Sequence, residues 1–124
     1  RAFDLDRILA IEPDFLSEDD HEHDDAITSL CLRSDQPMDG ARVTSWLQEL
    51  LAKDGQDLLR TKGILSISGQ DRQYVVQAVH MLLEGNFTEP WDTKDGRESR
   101  HVFIGRNIDQ MNLREQFEAC FASP

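Results

Sequence analysis

The chain is poor in the features that mark secreted, membrane-spanning and disulfide-built proteins. Cysteine occurs twice, at Cys31 and Cys120, far apart and in no C-x-x-C pattern. A disulfide framework is therefore not expected, and the context reads as reducing and cytoplasmic. Both thiols read as small buried hydrophobes, with metal ligation open if the fold brings one to a histidine. No apolar run approaches the roughly 20 residues that span a bilayer. The opening residues, Arg1-Ala2-Phe3-Asp4-Leu5-Asp6, lack an initiator methionine, a basic n-region and an apolar h-region, so they read as a cut through a longer chain rather than a signal peptide. Motifs that carry nucleotide or acyl chemistry are missing too: there is no G-x-x-x-x-G-K-[ST] phosphate loop, no G-x-S-x-G elbow and no H-E-x-x-H. No active site is legible, and the carboxylates read as linker acids rather than a paired acid and base.

What the chain has is acidity, concentrated at one end. Of its net charge of −11, residues 1–25 account for −8, with ten acids against Arg1 and Arg7, while the other 99 residues carry only −3. Such a chain is a poor partner for nucleic acid, which demands a basic surface. Cations or a basic protein surface suit it better. The remaining composition, 39% hydrophobic and 30% charged over 124 residues, is that of one globular domain.

Periodicity organises the rest. Residues 4–11 place Leu5, Ile8 and Leu9 on one face of a short helix with Asp4 as N-cap, which Pro13 ends. Glu12 to Asp25 has high charge and little apolar periodicity, the pattern of an exposed linker. Ala26 to Leu32 alternates as a strand, with cover on both faces open. Asp39 can cap a helix over 40–53, in which Val43, Trp46, Leu47, Leu50 and Leu51 form an i, i+3, i+4, i+7, i+8 stripe, ended by Gly55. Leu58–Ser68 and Gln73–Leu83 read as a hairpin, with a helix as the competing reading of the second segment. Phe87–Arg97 reads as a loop, Arg100–Arg106 as a strand, and Asp109 as the cap of a final helix bearing Leu113, Phe117, Cys120 and Phe121. The order β-α-β-β-β-α predicts an α+β fold: a mixed or antiparallel sheet of about four strands with helices packed on one face.

Few residues could carry chemistry. His21 and His23 stand at i and i+2, so in an extended segment both imidazoles point the same way, and Glu22 and Asp24 could add oxygen ligands. Zn²⁺ accepts such donors, as do Co²⁺ and Ni²⁺. A site on an acidic linker would be labile; a solvated linker that happens to hold two histidines is the alternative. His80 and His101 are lone histidines on predicted strands and read as satisfied or half-exposed sheet residues. Arg60 and Lys62 put two bases on one side of a strand, suited to an anion or acidic partner or to plain solvent. Trp91, beside Pro90, could plug the core or sit at an interdomain surface.

Several segments, taken in order, resemble the CobW C-terminal domain of the CobW and nitrile-hydratase-activator type. They are Phe3-Asp4-Leu5-Asp6-Arg7-Ile8-Leu9, the acidic arm running into Asp25-Ala26-Ile27-Thr28-Ser29, Leu59-Arg60-Thr61-Lys62-Gly63-Ile64-Leu65, Val75-Val76-Gln77-Ala78-Val79-His80, Glu89-Pro90-Trp91, and Ser99-Arg100-His101-Val102-Phe103-Ile104-Gly105-Arg106. The resemblance implies a GTP-dependent metallochaperone or insertase for zinc, cobalt or another metal. Residues 1–25 would join a missing N-terminal GTPase domain, which would hold GTP and Mg, to a regulatory or client-binding domain at 26–124. A histidine-bearing stretch at that junction is common in the family; here it is reduced to His21 and His23. The partners implied are the GTPase domain of the same chain and a client metalloprotein, with no nucleic acid and no membrane.

Overall fold

The computed structural model describes residues 27–92 and 96–123. The predicted helix over 4–11 and the arm carrying His21, Glu22, His23 and Asp24 lie outside the described residues. Five strands form one sheet: β1 (Ile27–Ser34), β2 (Leu58–Leu65), β3 (Arg72–Val79), β4 (Leu82–Pro90) and β5 (Ser99–Arg106). Their spatial order is β1-β5-β2-β3-β4, and every pair is antiparallel. Among the described residues the helices are α1 (Gly40–Asp54) and α2 (Leu113–Glu118), with a 3₁₀ turn at Ile108–Gln110 between β5 and α2.

Helix α1 forms where the apolar stripe and the cap both specify it. The Asp39 carboxylate accepts the Arg42 amide N–H at 3.0 Å, answering one of the donors that a helix start leaves unpaired. Val43, Trp46, Leu47, Leu50 and Leu51 are buried against the sheet. Each such side chain contributes about 1.5–3 kcal/mol. The core they enter is closed by Leu32, Leu65, Val76, Ala78 and Phe103 from the sheet and by Met38, Ile108, Met111, Leu113 and Phe117 from the flanking segments. The fold is thus α+β in two layers, a sheet with its helices on one face.

The sheet has one strand more than the sequence pattern suggests. Gln73–Leu83 is not a single strand, and the segment from Phe87 to Pro90 is not loop. The chain reverses at His80-Met81, and Val79 pairs with Leu82, so β3 and β4 form a two-residue hairpin. Both turn residues have positive φ, 54° and 69°, the conformation whose twist matches a two-residue hairpin. Neither is glycine or asparagine, so the usual turn signal is missing. The last helix begins at Leu113, after Asn112, rather than at Asp109, which falls in the 3₁₀ turn. Strand β1 lies at the sheet edge and is covered on one face only. Leu32 is buried, whereas Cys31 is exposed, contrary to its reading as a buried hydrophobe.

Candidate partner-binding face

The two faces of the sheet are chemically distinct because β2 alternates. A bulge between Leu58 and Arg60 resets its phase, so Leu58 reaches the helical core and Thr61, Gly63 and Leu65 follow on that side. Arg60, Lys62 and Ile64 therefore point to the face that carries no helix. Register extends this set. Arg60 is level with Ile104, Lys62 with Val102, and Ile64 with Arg100 on β5. Arg100 stands opposite Arg33, and Arg106 opposite Ile27, on β1.

The result is a shallow apolar centre of Ile64, Val102 and Ile104 ringed by Arg33, Arg60, Lys62, Arg100 and Arg106. Trp91 packs onto that centre with Ile27 and Val75, and the Arg97 guanidinium lies 5.7 Å from its ring. The indole N–H of Trp91 is buried and has no acceptor among the described residues. Among the described residues, register puts Glu84 opposite Gln77 on this face, and Glu98 holds Arg100 at 3.1 Å. Burial, then the neighbouring Arg60 charge, lowers the Lys62 pKa below the ordinary lysine value. The structure thus places Arg60, Lys62 and Trp91 on one face. Arg33, Arg100 and Arg106 complete it; their period-two spacing was in the sequence, but only the β1–β5–β2 register brings them beside Arg60.

The helix-side face holds the fully buried His101. Thr61 donates its hydroxyl proton to the Val102 carbonyl at 2.9 Å, and its oxygen lies 2.7 Å from His101 Nε2. Thr61 has one proton and has spent it, so Nε2 carries the hydrogen of that bond. Nδ1 then presents a lone pair, buried and without a partner among the described residues. The ring stacks on Phe103 at 4.5 Å and 9°, with Trp46 beside it at 6.4 Å. Burial drives the His101 pKa down to about 3. Gly63 makes the space, because a Cβ there would come within 2.5 Å of Nδ1.

The other expected chemistry does not converge. His80 sits exposed at the β3–β4 turn while His101 lies across from Gly63 in the sheet interior, so the two are not brought together. Cys120 donates to the Gln116 carbonyl at 3.4 Å, and burial, aided by the Asp39 charge and opposed by that of Arg42, raises its thiol to about 11. Among the described residues no three His, Cys, Asp or Glu side chains gather where a metal ion could sit. A concavity of about 500 Å³ between α1 and α2 is lined by Arg42, Trp46, Glu49, Lys53 and Cys120, with charges of both signs. No described helix is long and apolar enough to cross a membrane.

With the fold and its faces in place, comparison with known proteins is decisive. The model of the cobalamin synthesis protein cobW C-terminal domain matches residues 27–121. The chain belongs to this CobW C-terminal domain family. The domain is similar to the zinc chaperone YjiA of Escherichia coli strain K12, at 30% identity over 115 residues, covering 90% of this chain and 34% of that protein. It is also similar to the zinc chaperone CobW of Pseudomonas aeruginosa, at 30% identity over 82 residues, 66% of this chain and 21% of that protein. A crystal structure of Zn(II)-bound YjiA GTPase from E. coli superposes with a TM-score of 0.73 at 28% identity, over 79% of this chain and 30% of that one. This CobW C-terminal domain therefore spans about a third of YjiA and a fifth of CobW.

Proposed function

We propose that this CobW C-terminal domain is the regulatory, client-facing domain of a cytoplasmic, GTP-dependent zinc chaperone. The basic, tryptophan-bearing sheet face supports this reading: cationic side chains around an apolar centre form a surface suited to an acidic protein partner. Arg60, Lys62 and Trp91 would meet either the GTPase domain preceding this one or the client. GTP and Mg would be held in that preceding domain. His21 and His23, with Glu22 and Asp24, would hold the metal in transit. Zinc is the ion named in the relatives, and cobalt or nickel would suit the same nitrogen and oxygen donors. Ligands drawn from one short acidic stretch favour exchange over tight retention, which suits cargo.

One experiment in the full-length protein addresses both parts. Zinc affinity and zinc delivery to the acceptor protein are measured for wild type, His21→Ala/His23→Ala and Arg60→Glu/Lys62→Glu. The histidine pair is expected to lose affinity, and the charge-reversed pair to keep affinity and lose delivery. Equal affinity in all three removes the arm as the site, and unimpaired delivery by the charge-reversed pair removes the face. A metal-independent docking domain, its acidic arm meeting a basic partner, is the second reading, favoured by the eight acids of residues 12–25, which hold no lysine or arginine.

A further inference from the structure

We propose that the acidic segment 12–25 of this chain is itself a ligand of the basic sheet face, lying across Arg60 and Lys62 when no partner holds that face. This rests on the reading of the face as partner-binding and names an occupant for it.

Three observations carry the inference. The first is charge: residues 12–25 contain eight acids and no lysine or arginine, while the face presents Arg33, Arg60, Lys62, Arg100 and Arg106. The body of the chain is otherwise close to electrically balanced, so the two opposite concentrations of charge are both local. The second is the point of entry. The segment leads into Ile27, whose side chain packs with the apolar centre of this same face. The third is reach. Lys62 is level with Val102 and, through it, with Cys31, so it lies two strands over and four residues along from Ile27. At about 4.8 Å per strand and 3.3 Å per residue, that is about 16 Å. Arg60, level with Ile104 and Ser29, lies about 12 Å away by the same measure. About four to five extended residues cover these distances, which brings Glu22 and the acids before it, Asp20, Asp19 and Glu18, within range. A tether this short holds its carboxylates near the face at an effective concentration on the order of millimolar.

The test is zero-length cross-linking of the full-length protein with a water-soluble carbodiimide. The reagent activates a carboxylate as an O-acylisourea; a lysine amine attacks it, an amide forms, and the reagent leaves as the urea. Lys62 is the probe, and Lys53, on helix α1 in the other layer, is the internal control. Each link is normalised to that lysine's rate of acetylation, which removes differences in amine reactivity. Links from Lys62 to carboxylates within 18–22 are expected in the monomer, independent of protein concentration, at about tenfold the Lys53 yield, a preference of ~1.4 kcal/mol. They should fall in 1 M salt, where the screening length is about 3 Å. Equal normalised yields at Lys62 and Lys53, or links confined to covalent dimers, overturn the proposal. Such a failure leaves any delivery defect of Arg60→Glu/Lys62→Glu standing. Normal delivery with the links intact would instead remove the partner and keep the self-contact.

Discussion

Protonating His101 should unfold this domain, and the size of the effect follows from its surroundings. The imidazole is fully buried, its Nε2–H is spent on Thr61, and its pKa is driven down to about 3 from an ordinary value of 6.5. The folded state therefore favours the neutral ring. The sign is that of a depressed histidine: the unfolded chain takes up the proton first, so the stability tied to the neutral ring is complete above pH 6.5 and is lost as pH falls below it. Each pH unit between about 6.5 and about 3 costs ~1.4 kcal/mol, so pH 5 removes about 2 kcal/mol. Against a typical total of about 5–15 kcal/mol, that loss is large. Urea denaturation of wild type and His101→Gln at pH 7.5, 6 and 5 isolates it. The amide can still donate to Thr61, its fixed cost is the same at each pH, and every other titrating group, His21, His23 and His80 included, is common to both proteins. The stability gap between them should close by about 2 kcal/mol from pH 7.5 to pH 5. A gap constant across that range would refute the reasoning.

Two further substitutions probe the same layer. Gly63→Ala drives a methyl into the His101 ring and should destabilise by about 1–3 kcal/mol, read as a lower melting temperature, with much of the loss recovered in Gly63→Ala/His101→Ala because the two sites share one contact. Asp39→Ala removes the α1 cap and should cost ~1 kcal/mol in urea unfolding, whereas Asp39→Asn should fall within about 0.5 kcal/mol of wild type.

The parts of the fold that were legible are those in which one short stretch of sequence decides the outcome. The α1 stripe and its Asp39 cap lie within one stretch of helix, and the apolar run Val102-Phe103-Ile104 reads as strand without help. Strand β4 did not, because its residues are exposed throughout except for Leu83 and include Gly85, Asn86 and Pro90, the composition of a loop. Its identity comes from pairing with β3 through a turn that holds His80 and Met81 in positive-φ conformations, a tertiary outcome overriding local preference. The site divides in the same way. That Arg60 and Lys62 share a face follows from period two. That Trp91, Arg33 and Arg100 join them depends on which strands lie side by side. The burial of His101 was the hardest to foresee, since the residue that makes room for it, Gly63, lies 38 positions earlier and across a strand pair.

The strand order also sets a timetable. Strands β2, β3 and β4 form a meander of neighbours that can pair as soon as each is made. Among the described strands β1 pairs only with β5, and Ile27 finds its partner at Arg106. A ribosome adding about 5–20 residues per second needs roughly 4–16 s to make the intervening chain. For that interval β1 waits with both edges open. Its polar residues Thr28, Ser29, Arg33 and Ser34 then act as guards against pairing with the wrong strand, and the arrival of β5 between β1 and β2 completes the sheet in a single late step.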